Sequence, residues 1–402
     1  MMATPLLLSI AVYLLALGSA ALLLKIPAIA DNLGQLEGRA TTIDGLRGYL
    51  ALGVFIHHAA IAWHFHQSGQ IGMPPERLFA QIGQVGVALF FMITGFLFWD
   101  RLIKQKRQHD WGVFAISRIF RLYPLYLPLL AALLATVFYL SDWNLRESPA
   151  QLLKHVSLWL IFDRPDLNLV QGTGNLISNV TWTLSYEVYF YLALPLLGMV
   201  FLYRGSLLKT VACLVGLYLL AQVVGWEHSL KKKYLLSFAG GIAAAYWVRS
   251  PALMAWGRSR LAAIIAVLLL IVVLTLLRKT FAVFPLLLLS VVFFVVVSGN
   301  DLFGALRLPS ARWLGEVSYS TYLLHGFLLW WLAYHYYPQM GFAMDQPLPF
   351  IALIALCTPL LVVVSSATFL LFEKPGIAKG KALAARLRRK REALQANPVE
   401  KA

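Results

Sequence analysis

Long apolar runs, separated by short polar or charged stretches, recur along nearly the whole chain. Most of them approach the roughly 20 residues that a helix needs to cross a bilayer. Because the lipid interior holds no water, a run of this length satisfies its backbone hydrogen bonds as a helix. The pattern therefore predicts an all-α polytopic membrane protein with eleven spans. They cover about residues 4–24, 48–66, 78–99, 119–141, 180–203, 206–225, 234–248, 261–277, 281–298, 314–337 and 347–372.

Three stretches depart from this simple alternation. The seventh run is short and contains Gly240 and Gly241, so a broken or tilted span is predicted there. Residues 142–179 form the longest connection, which is long enough for a lid or a vestibule. The tail from Lys374 to Arg391 is strongly basic, and it predicts a cytoplasmic helix lying against anionic lipid.

The distribution of charge sets the predicted orientation. The chain of 402 residues is 60% hydrophobic and only 13% charged, whereas soluble domains carry about 25% charged residues. If the stretch after the first span is cytoplasmic and the sides alternate, 25 of the 34 Lys and Arg residues are cytoplasmic. Positive residues gather in cytoplasmic loops, so the N-terminus is predicted outside and the C-terminus inside. The net charge of +16 then reflects topology, and no nucleic-acid partner is expected.

The first apolar run has a second interpretation. Residues 1–24 resemble the hydrophobic part of a signal peptide, although no Lys or Arg precedes the run, as one normally would. Cleavage would also leave residues 25–47 outside, against the charge pattern. A transmembrane first helix is therefore the prediction, and a signal peptide is the alternative.

Two adjacent histidines lie halfway along the second span, and they are the first candidates for chemistry. Eleven helical steps separate Arg47 from His58, so both side chains share one face about 16 Å apart along the axis. His57 is turned about 80° away from that face. Ionisable groups at this depth are functional candidates, and a neutral imidazole is a natural general base. A purely structural histidine is the competing interpretation.

A carboxylate in the fifth span is the predicted partner of this histidine. Glu187 lies seven residues into a run that is predicted to start outside, which brings it near mid-depth. A buried carboxylate beside His58 would orient the imidazole and stabilise the imidazolium that forms during proton transfer. The alternative is that Glu187 only bridges two helices.

Two arginines mark the cytoplasmic end of the fourth span. Arg118 and Arg121 are three residues apart and therefore share a helix face, where they can form a fork for phosphate or carboxylate groups. Anchoring by positive charge is the alternative. Nearby, the stretch from Phe90 to Gly95 offers small residues for close helix packing, or room for an acyl-pantetheine channel beside Thr94.

The tenth span carries a polar stripe of Ser318, Tyr319, Tyr322 and His325, which is either structural or catalytic. No metal site is predicted, because the histidines between positions 57 and 66 point in several directions. Cys213 and Cys357 lie in separate apolar runs and are expected to be thiols.

Taken together, these segments resemble the bacterial type-three membrane acyltransferases between about Thr41 and Pro375. The resemblance rests on several motifs in the right order, with Thr94 and Thr183 where the family has Ser. They are Asp44-Gly45-Leu46-Arg47-Gly48 with His58, Phe90 to Gly95, Arg118 with Arg121, Trp182-Thr183-Leu184-Ser185-Tyr186-Glu187, Ser318 to His325, and Phe372-Glu373-Lys374-Pro375.

The resemblance implies a ten-helix core in residues 41–375, preceded by an extra span and linker in 1–40 and followed by the basic tail in 376–402. It implies transfer of an acyl group, usually acetyl, from cytoplasmic acyl-CoA to a hydroxyl of an outward-facing glycan or lipid-linked sugar. The protein is then expected in the bacterial inner membrane. Acyl-CoA is a co-substrate rather than a bound cofactor, and lipids are the remaining partner.

In this scheme His58 removes the hydroxyl proton, directly or through an acyl-imidazole, while Glu187 orients it. Arg47 holds the charged end of the donor. Arg118, Arg121 and Thr94 complete the donor site. The further candidates are Asp44, His57, Trp182, Ser185, Tyr319 and His325.

Two other functional classes stay open at this point. In a proton-coupled transporter, His58, Glu187 and His325 would form a relay, although the chain shows no inverted repeat. In an export partner for surface polysaccharide, replacing His58 would leave activity intact. The sequence leaves the acceptor, the choice of acetyl or succinyl, and the oligomeric state open.

Overall fold

The computed structural model describes residues 3–34, 41–105, 110–202, 231–342 and 346–396, together with short pieces at 211–212, 215–216 and 218–219. Over this part of the chain the regular elements are helical, apart from one isolated bridge between Leu167 and Val170. The α-helices are α1 Ala3–Leu23, α2 Pro27–Gly34, α3 Thr41–Ser68, α4 Arg77–Gln105, α5 Trp111–Leu140, α6 Pro149–Leu160, α7 Trp182–Phe201, α8 Lys232–Trp247, α9 Pro251–Gly257, α10 Arg260–Thr275, α11 Val283–Val297, α12 Pro309–Glu316, α13 Ser318–Leu329, α14 Pro347–Thr368 and α15 Lys374–Ala396.

Five of the described helices are long and apolar enough to cross a membrane. A sixth candidate is the pair α9 and α10, which is bent by 70° at the junction. These helices fit a helical membrane protein, while the predicted total of eleven spans and their orientation stay predictions. The sixth predicted span, 206–225, lies almost entirely outside the described residues.

The tenth predicted span, 314–337, is divided among three elements. It begins in α12, which ends at Glu316, and continues in α13 and a π-helix at Trp330–Tyr336. Val317, with φ −87° and ψ 9°, lies between α12 and α13 and has a non-helical backbone conformation. Apolar periodicity alone does not reveal such a break, because both pieces remain hydrophobic on their buried faces.

Helix α3 lies at the centre of the bundle, where glycines let neighbouring backbones approach closely. Gly45 contacts the Leu306 backbone, and Gly315 of α12 contacts the carbonyl of Asp44. Most residues from Thr42 to Ala62 are buried. Because a Cβ atom at either glycine would collide with backbone, Gly45 holds α3 against the turn at Leu306 and Gly315 holds α12 against α3.

The seventh predicted span is unbroken, so the expected interruption at its glycine pair is wrong. Gly240 and Gly241 lie inside α8, where they contact Met92 of α4. Gly95 of α4 contacts the carbonyl of Phe238 in the same way. These glycines serve helix packing rather than a kink, which favours the packing interpretation of the segment that ends at Gly95.

Helix α1 is part of the bundle. Ala16 and Ala20 are fully buried in a cluster with Leu52, Trp313 and Val362. The hydroxyl of Tyr13 also donates to the carbonyl of Tyr49 at 3.2 Å.

The segment 142–181 folds back deep into the bundle. The hydroxyl of Tyr126, near the middle of α5, donates to the carbonyl of Trp159 at 2.5 Å. The backbone of Ile177 contacts α13 at Gly326, where a side chain would collide with it. Seven of the nine described non-glycine residues with positive φ lie in this segment. Such backbone is held in place by surrounding contacts and tends to occur at functional sites.

The basic tail continues the helical path of α14 through a π-helix at Phe369–Glu373. The predicted boundary at 375/376 therefore falls inside the described helical path, close to the start of α15. Gly376 contacts Pro124, and Gly380 contacts Phe120, so the first turns of α15 pack closely on α5. The tail is docked against the bundle, in addition to any contact that it makes with lipid.

Candidate active site

Two histidines meet in the middle of the bundle. The ring centroids of His58 in α3 and His325 in α13 are 5.2 Å apart. His325 is fully buried, and its Nδ1 lies 3.1 Å from the carbonyl of Thr321, so Nδ1 carries the proton and donates. Its Nε2 is then an acceptor, and it has no hydrogen-bond partner among the described residues. His58 and His325, with Tyr322 beside them, are called the histidine layer below.

His58 differs from the residues around it in exposure. Phe55, Ile56, His57 and Ala59 are buried, whereas His58 is half-buried. Part of its ring is therefore left uncovered by the neighbouring side chains. A buried acceptor nitrogen beside a half-buried imidazole can receive a hydroxyl group of a ligand.

His57 has a structural position. Its Nδ1 lies 2.7 Å from the carbonyl of Phe79, and its ring packs on Gly83, where a Cβ atom would collide with it. The imidazole is thereby held between α3 and α4. This agrees with the prediction that His57 and His58 face different ways.

A second group of polar residues lies at one end of the bundle. Arg121 forms an ion pair of 3.1 Å with Glu373, whose side chain is fully buried. Ser320 donates a hydrogen bond to the other oxygen of Glu373. Arg47 interacts electrostatically with Arg121, Glu373, Glu316 and Asp44, and it lies 3.9 Å from the Asp44 carboxylate. This end is called the arginine-bearing end.

Glu187 belongs to the same end. The hydroxyl of Thr94 donates to one carboxylate oxygen at 3.1 Å, and the hydroxyl of Tyr191 donates to the other at 2.8 Å. Arg118 lies close by, over the rings of Phe98 at 4.9 Å and Tyr191 at 6.0 Å. Arg47, Arg118, Arg121, Glu187 and Glu373 together are called the ionic layer.

The predicted pairing of Glu187 with His58 is not formed in the described residues. Both oxygens of Glu187 are engaged elsewhere, and the titratable groups that interact with His58 are His57 and His325. The reason is where α7 begins. Val180, just before α7, accepts a hydrogen bond from Tyr322 at 3.3 Å, so α7 starts on the arginine side of His325. Seven further residues carry Glu187 about 10 Å nearer the arginine-bearing end.

The expected arginine fork is also divided between two partners. Arg121 faces Glu373 and lies over the ring of Tyr319 at 5.6 Å. Arg118 instead donates to Ser117 at 3.0 Å, and its Nε is buried without a hydrogen-bond partner in the described structure. Of these two arginines, Arg118 is the one with a buried nitrogen that no described group satisfies. Three-residue spacing puts both arginines on one face, but buried carboxylates decide where each guanidinium turns.

Three other candidates occupy supporting positions. The hydroxyl of Tyr319 donates to the carbonyl of Leu122 at 2.7 Å, which ties α13 to α5. Ser185 is buried and donates to the carbonyl of Phe162 at 3.3 Å. Trp182 packs against Tyr234 with ring centroids 4.7 Å apart.

Glu373 is the functional candidate that sequence reasoning missed. It lies in the family motif Phe372 to Pro375, but the sequence alone indicates no binding or catalytic role for it. A lone carboxylate at the end of a long apolar run is itself a signal, because such a group needs a partner when buried. Tyr191 gave a weaker signal through its four-residue spacing from Glu187.

Comparison with known proteins identifies the family to which the chain belongs. Residues 41–369 match a family described as "Acyltransferase domain", the type-three acyltransferases. The chain belongs to this family. It is an acyltransferase that moves groups other than aminoacyl groups, and an integral membrane protein. No solved structure matches the chain.

Several curated proteins are similar to this acyltransferase over part or most of its length. The exopolysaccharide production protein ExoZ of Rhizobium meliloti is 29% identical over 317 residues, which is 75% of this chain and 92% of that protein. The peptidoglycan O-acetyltransferase OatA of Listeria monocytogenes is 28% identical over 168 residues, or 40% of this chain and 24% of that protein. Acyltransferase MdmB of Streptomyces mycarofaciens is 29% identical over 39% of each chain.

Proposed function

We propose that this acyltransferase moves an acetyl group from acyl-CoA, delivered at the arginine-bearing end, to a hydroxyl of a polysaccharide or lipid-linked sugar. The acceptor reaches the histidine layer from the opposite, extracytoplasmic side of the bacterial inner membrane. The observation that carries the proposal is the pairing of the two layers along α3 and α13. His58 meets His325 of α13, and Arg47, eleven helical steps earlier on α3, interacts with Arg121 and Glu373 of the ionic layer.

The composition of the arginine-bearing end supports an anionic donor. Arg47, Arg118 and Arg121 gather there, and the unpartnered Nε of Arg118 is a donor for a phosphate or carbonyl oxygen. The two carboxylates, Glu187 and Glu373, balance part of this charge and hold the helices in place. Buried ion pairs require such compensation, because an unpaired charge inside the bundle is strongly unfavourable.

The chemistry proposed for the histidine layer follows from its two imidazoles. A nitrogen of His58 removes the proton of the acceptor hydroxyl while the oxygen attacks the thioester carbonyl carbon. A C–O bond forms and the C–S bond breaks. The imidazolium of His58 then gives the proton to the thiolate of coenzyme A. Nε2 of His325 accepts a hydrogen bond from the sugar hydroxyl or from protonated His58. His325 thus takes the place that the sequence reasoning assigned to Glu187.

The acceptor class is supported by the relatives. ExoZ is named for exopolysaccharide production and OatA for O-acetylation of peptidoglycan. Both names point to carbohydrate hydroxyls at the cell surface. We extend that class to this chain as part of the proposal.

The direct test uses the purified full-length chain in liposomes with acetyl-labelled acetyl-CoA. De-O-acetylated exopolysaccharide and a lipid-linked oligosaccharide serve as acceptors, and His58→Ala is the matched control. We expect label to move to carbohydrate only with the unmodified chain. Full transfer by His58→Ala would contradict the role of His58, and no consumption of acetyl-CoA with either acceptor would contradict the function. Mass spectrometry of acid-quenched enzyme distinguishes direct transfer from an acyl-imidazole on His58.

A further inference from the structure

A basic cleft lies between α5 and the tail helix α15, and only its α15 wall lies outside the residues that match the family. It is a cavity of about 480 Å³. Arg101 of α4 and Lys381, Arg388 and Arg389 of α15 line it, together with Ser117 and Asp110 of α5. Four cations around one cavity of this size form a site for phosphate groups.

Close packing of α15 on α5 fixes the relative position of the two walls of the cleft. Gly380 lets α15 approach α5 so closely that a Cβ atom there would lie 2.6 Å from Phe120 Cβ. One helical turn earlier, Gly376 packs on Pro124. These contacts fix the height and rotation of α15, so Lys381 and the two arginines two turns later face α5 across the cavity. The carboxylate of Asp110 caps α5 by accepting from the Val113 amide at 3.1 Å, so it is held at the helix end.

The cleft is continuous with the ionic layer. Ser117, which lines the cleft, accepts a hydrogen bond from Arg118. Arg101, on the opposite wall, interacts electrostatically with the same arginine. The positive groups therefore run from Arg388 and Arg389 through Arg101 to Arg118.

The axial distance from this cleft to the histidine layer suits one class of ligand. Along α5, Leu122 lies five residues after Ser117, and its carbonyl accepts a hydrogen bond from the hydroxyl of Tyr319. Along α13, His325 lies six residues after Tyr319. Eleven residues of helical rise span about 16 Å. The extended pantetheine arm of coenzyme A can bridge that distance, whereas a free phosphate or a lipid headgroup would end in the cleft.

We propose that the cleft between α5 and α15 binds the phosphate groups of the nucleotide part of acyl-CoA. This inference rests on the proposed function, since it assigns the part of the donor site that lies farthest from the histidine layer. It also gives the basic tail a role beyond attraction to anionic lipid. Lys381, Arg388 and Arg389 contact phosphate, while Lys379 and Arg386 of the same helix lie outside the cleft.

The test measures binding of coenzyme A and 3′-dephospho-coenzyme A to the full chain in nanodiscs of neutral phosphatidylcholine. The triple variant Lys381→Ala/Arg388→Ala/Arg389→Ala removes cleft charges, and Lys379→Ala/Arg386→Ala removes exposed charges from the same helix. We expect the triple variant to weaken coenzyme A binding at least about tenfold and to bind both probes equally. The control variant should stay within about twofold of the unmodified chain, because Lys379 and Arg386 do not line the cleft. The charge-retaining variant Lys381→Arg/Arg388→Lys/Arg389→Lys should recover most of the binding.

Lipid occupancy is examined in nanodiscs that contain anionic phosphatidylglycerol. If lipid headgroups fill the cleft, both variants bind coenzyme A as the unmodified chain does, and the triple variant loses more affinity for anionic lipid than the control variant. That outcome would overturn the cleft assignment. Unchanged coenzyme A affinity in the triple variant, with normal acetyl transfer, would overturn the cleft and leave the proposed function standing. An unmodified chain that neither binds coenzyme A nor consumes acetyl-CoA would overturn both.

Discussion

The histidine layer and the ionic layer share helix α3, but their polar groups differ in how far they are paired. In the ionic layer most charged groups are paired, since Arg121 has Glu373 and Glu187 has two hydroxyl donors, while the Nε of Arg118 has no described partner. In the histidine layer the groups can stay neutral, and the Nε2 of His325 is left without a described partner. Satisfied groups hold a structure in place, whereas an unsatisfied one is available to a substrate. The comparison assigns scaffold and donor binding to one layer and proton transfer to the other.

Replacing His58 should separate the layers most sharply. We expect His58→Ala to lower turnover about 10³-fold or more, because it removes the proposed general base. The thermal unfolding midpoint should change little, since His58 is only half-buried and forms no described hydrogen bond. Acetyl transfer and unfolding are measured on the same detergent-purified sample. Substantial residual turnover would move the chemistry to another residue.

Removing Glu373 should have the converse effect. Glu373→Ala leaves Arg121 without its buried partner, so we expect the free energy of unfolding to fall by about 3–5 kcal/mol. The double variant Arg121→Leu/Glu373→Leu should recover much of that loss, because apolar side chains can replace a buried ion pair. Denaturant or thermal unfolding in detergent provides the measurement. Equal stability of Glu373→Ala and the unmodified chain would mean that the pair does not hold α14 against α5.

His325 is predicted to position the reacting groups within the histidine layer. We expect His325→Ala to lower kcat about ten- to a hundredfold with little change in KM for acetyl-CoA, through loss of one hydrogen bond to a charged or reacting group. His325→Gln, which keeps an acceptor at similar reach, should restore part of kcat. A change in KM for acetyl-CoA instead would assign His325 to donor binding.

Replacing Arg118, which unlike Arg121 has no described carboxylate partner, is expected to have the smallest effect on activity. Arg118→Ala should raise KM for acetyl-CoA about tenfold while kcat changes little, because it removes the guanidinium with an unpartnered nitrogen. Arg118→Lys should recover less than half of the binding free energy, since lysine lacks the planar fork. Glu187→Gln removes the negative charge and keeps one acceptor oxygen for the hydroxyl of Thr94 or of Tyr191, and it serves as the comparison. A shift of the kcat–pH profile in Glu187→Gln would revive the pairing of Glu187 with His58.

The sequence predicts the relative direction of side chains in the candidate site when they lie on the same helix. The shared face of Arg47 and His58 follows from spacing on α3, and the opposite turn of His57 follows from the same geometry. The position of Glu187 was not predictable, because its depth depends on where α7 begins. That start is fixed by the folding of residues 161–181 against Tyr322 and Gly326, which are distant in the sequence.

The sequence by itself determined the helical membrane class, the family motifs and the residues that face one another along single helices, because helical period and hydrophobic length are local properties. Only the tertiary structure decided that His325 accompanies His58, that Glu373 holds Arg121, and that the tail helix docks on α5. Each of these is a contact between helices far apart in the chain. Such contacts depend on the depth at which each helix starts and on the glycines that let backbones meet, and neither can be read from apolar periodicity.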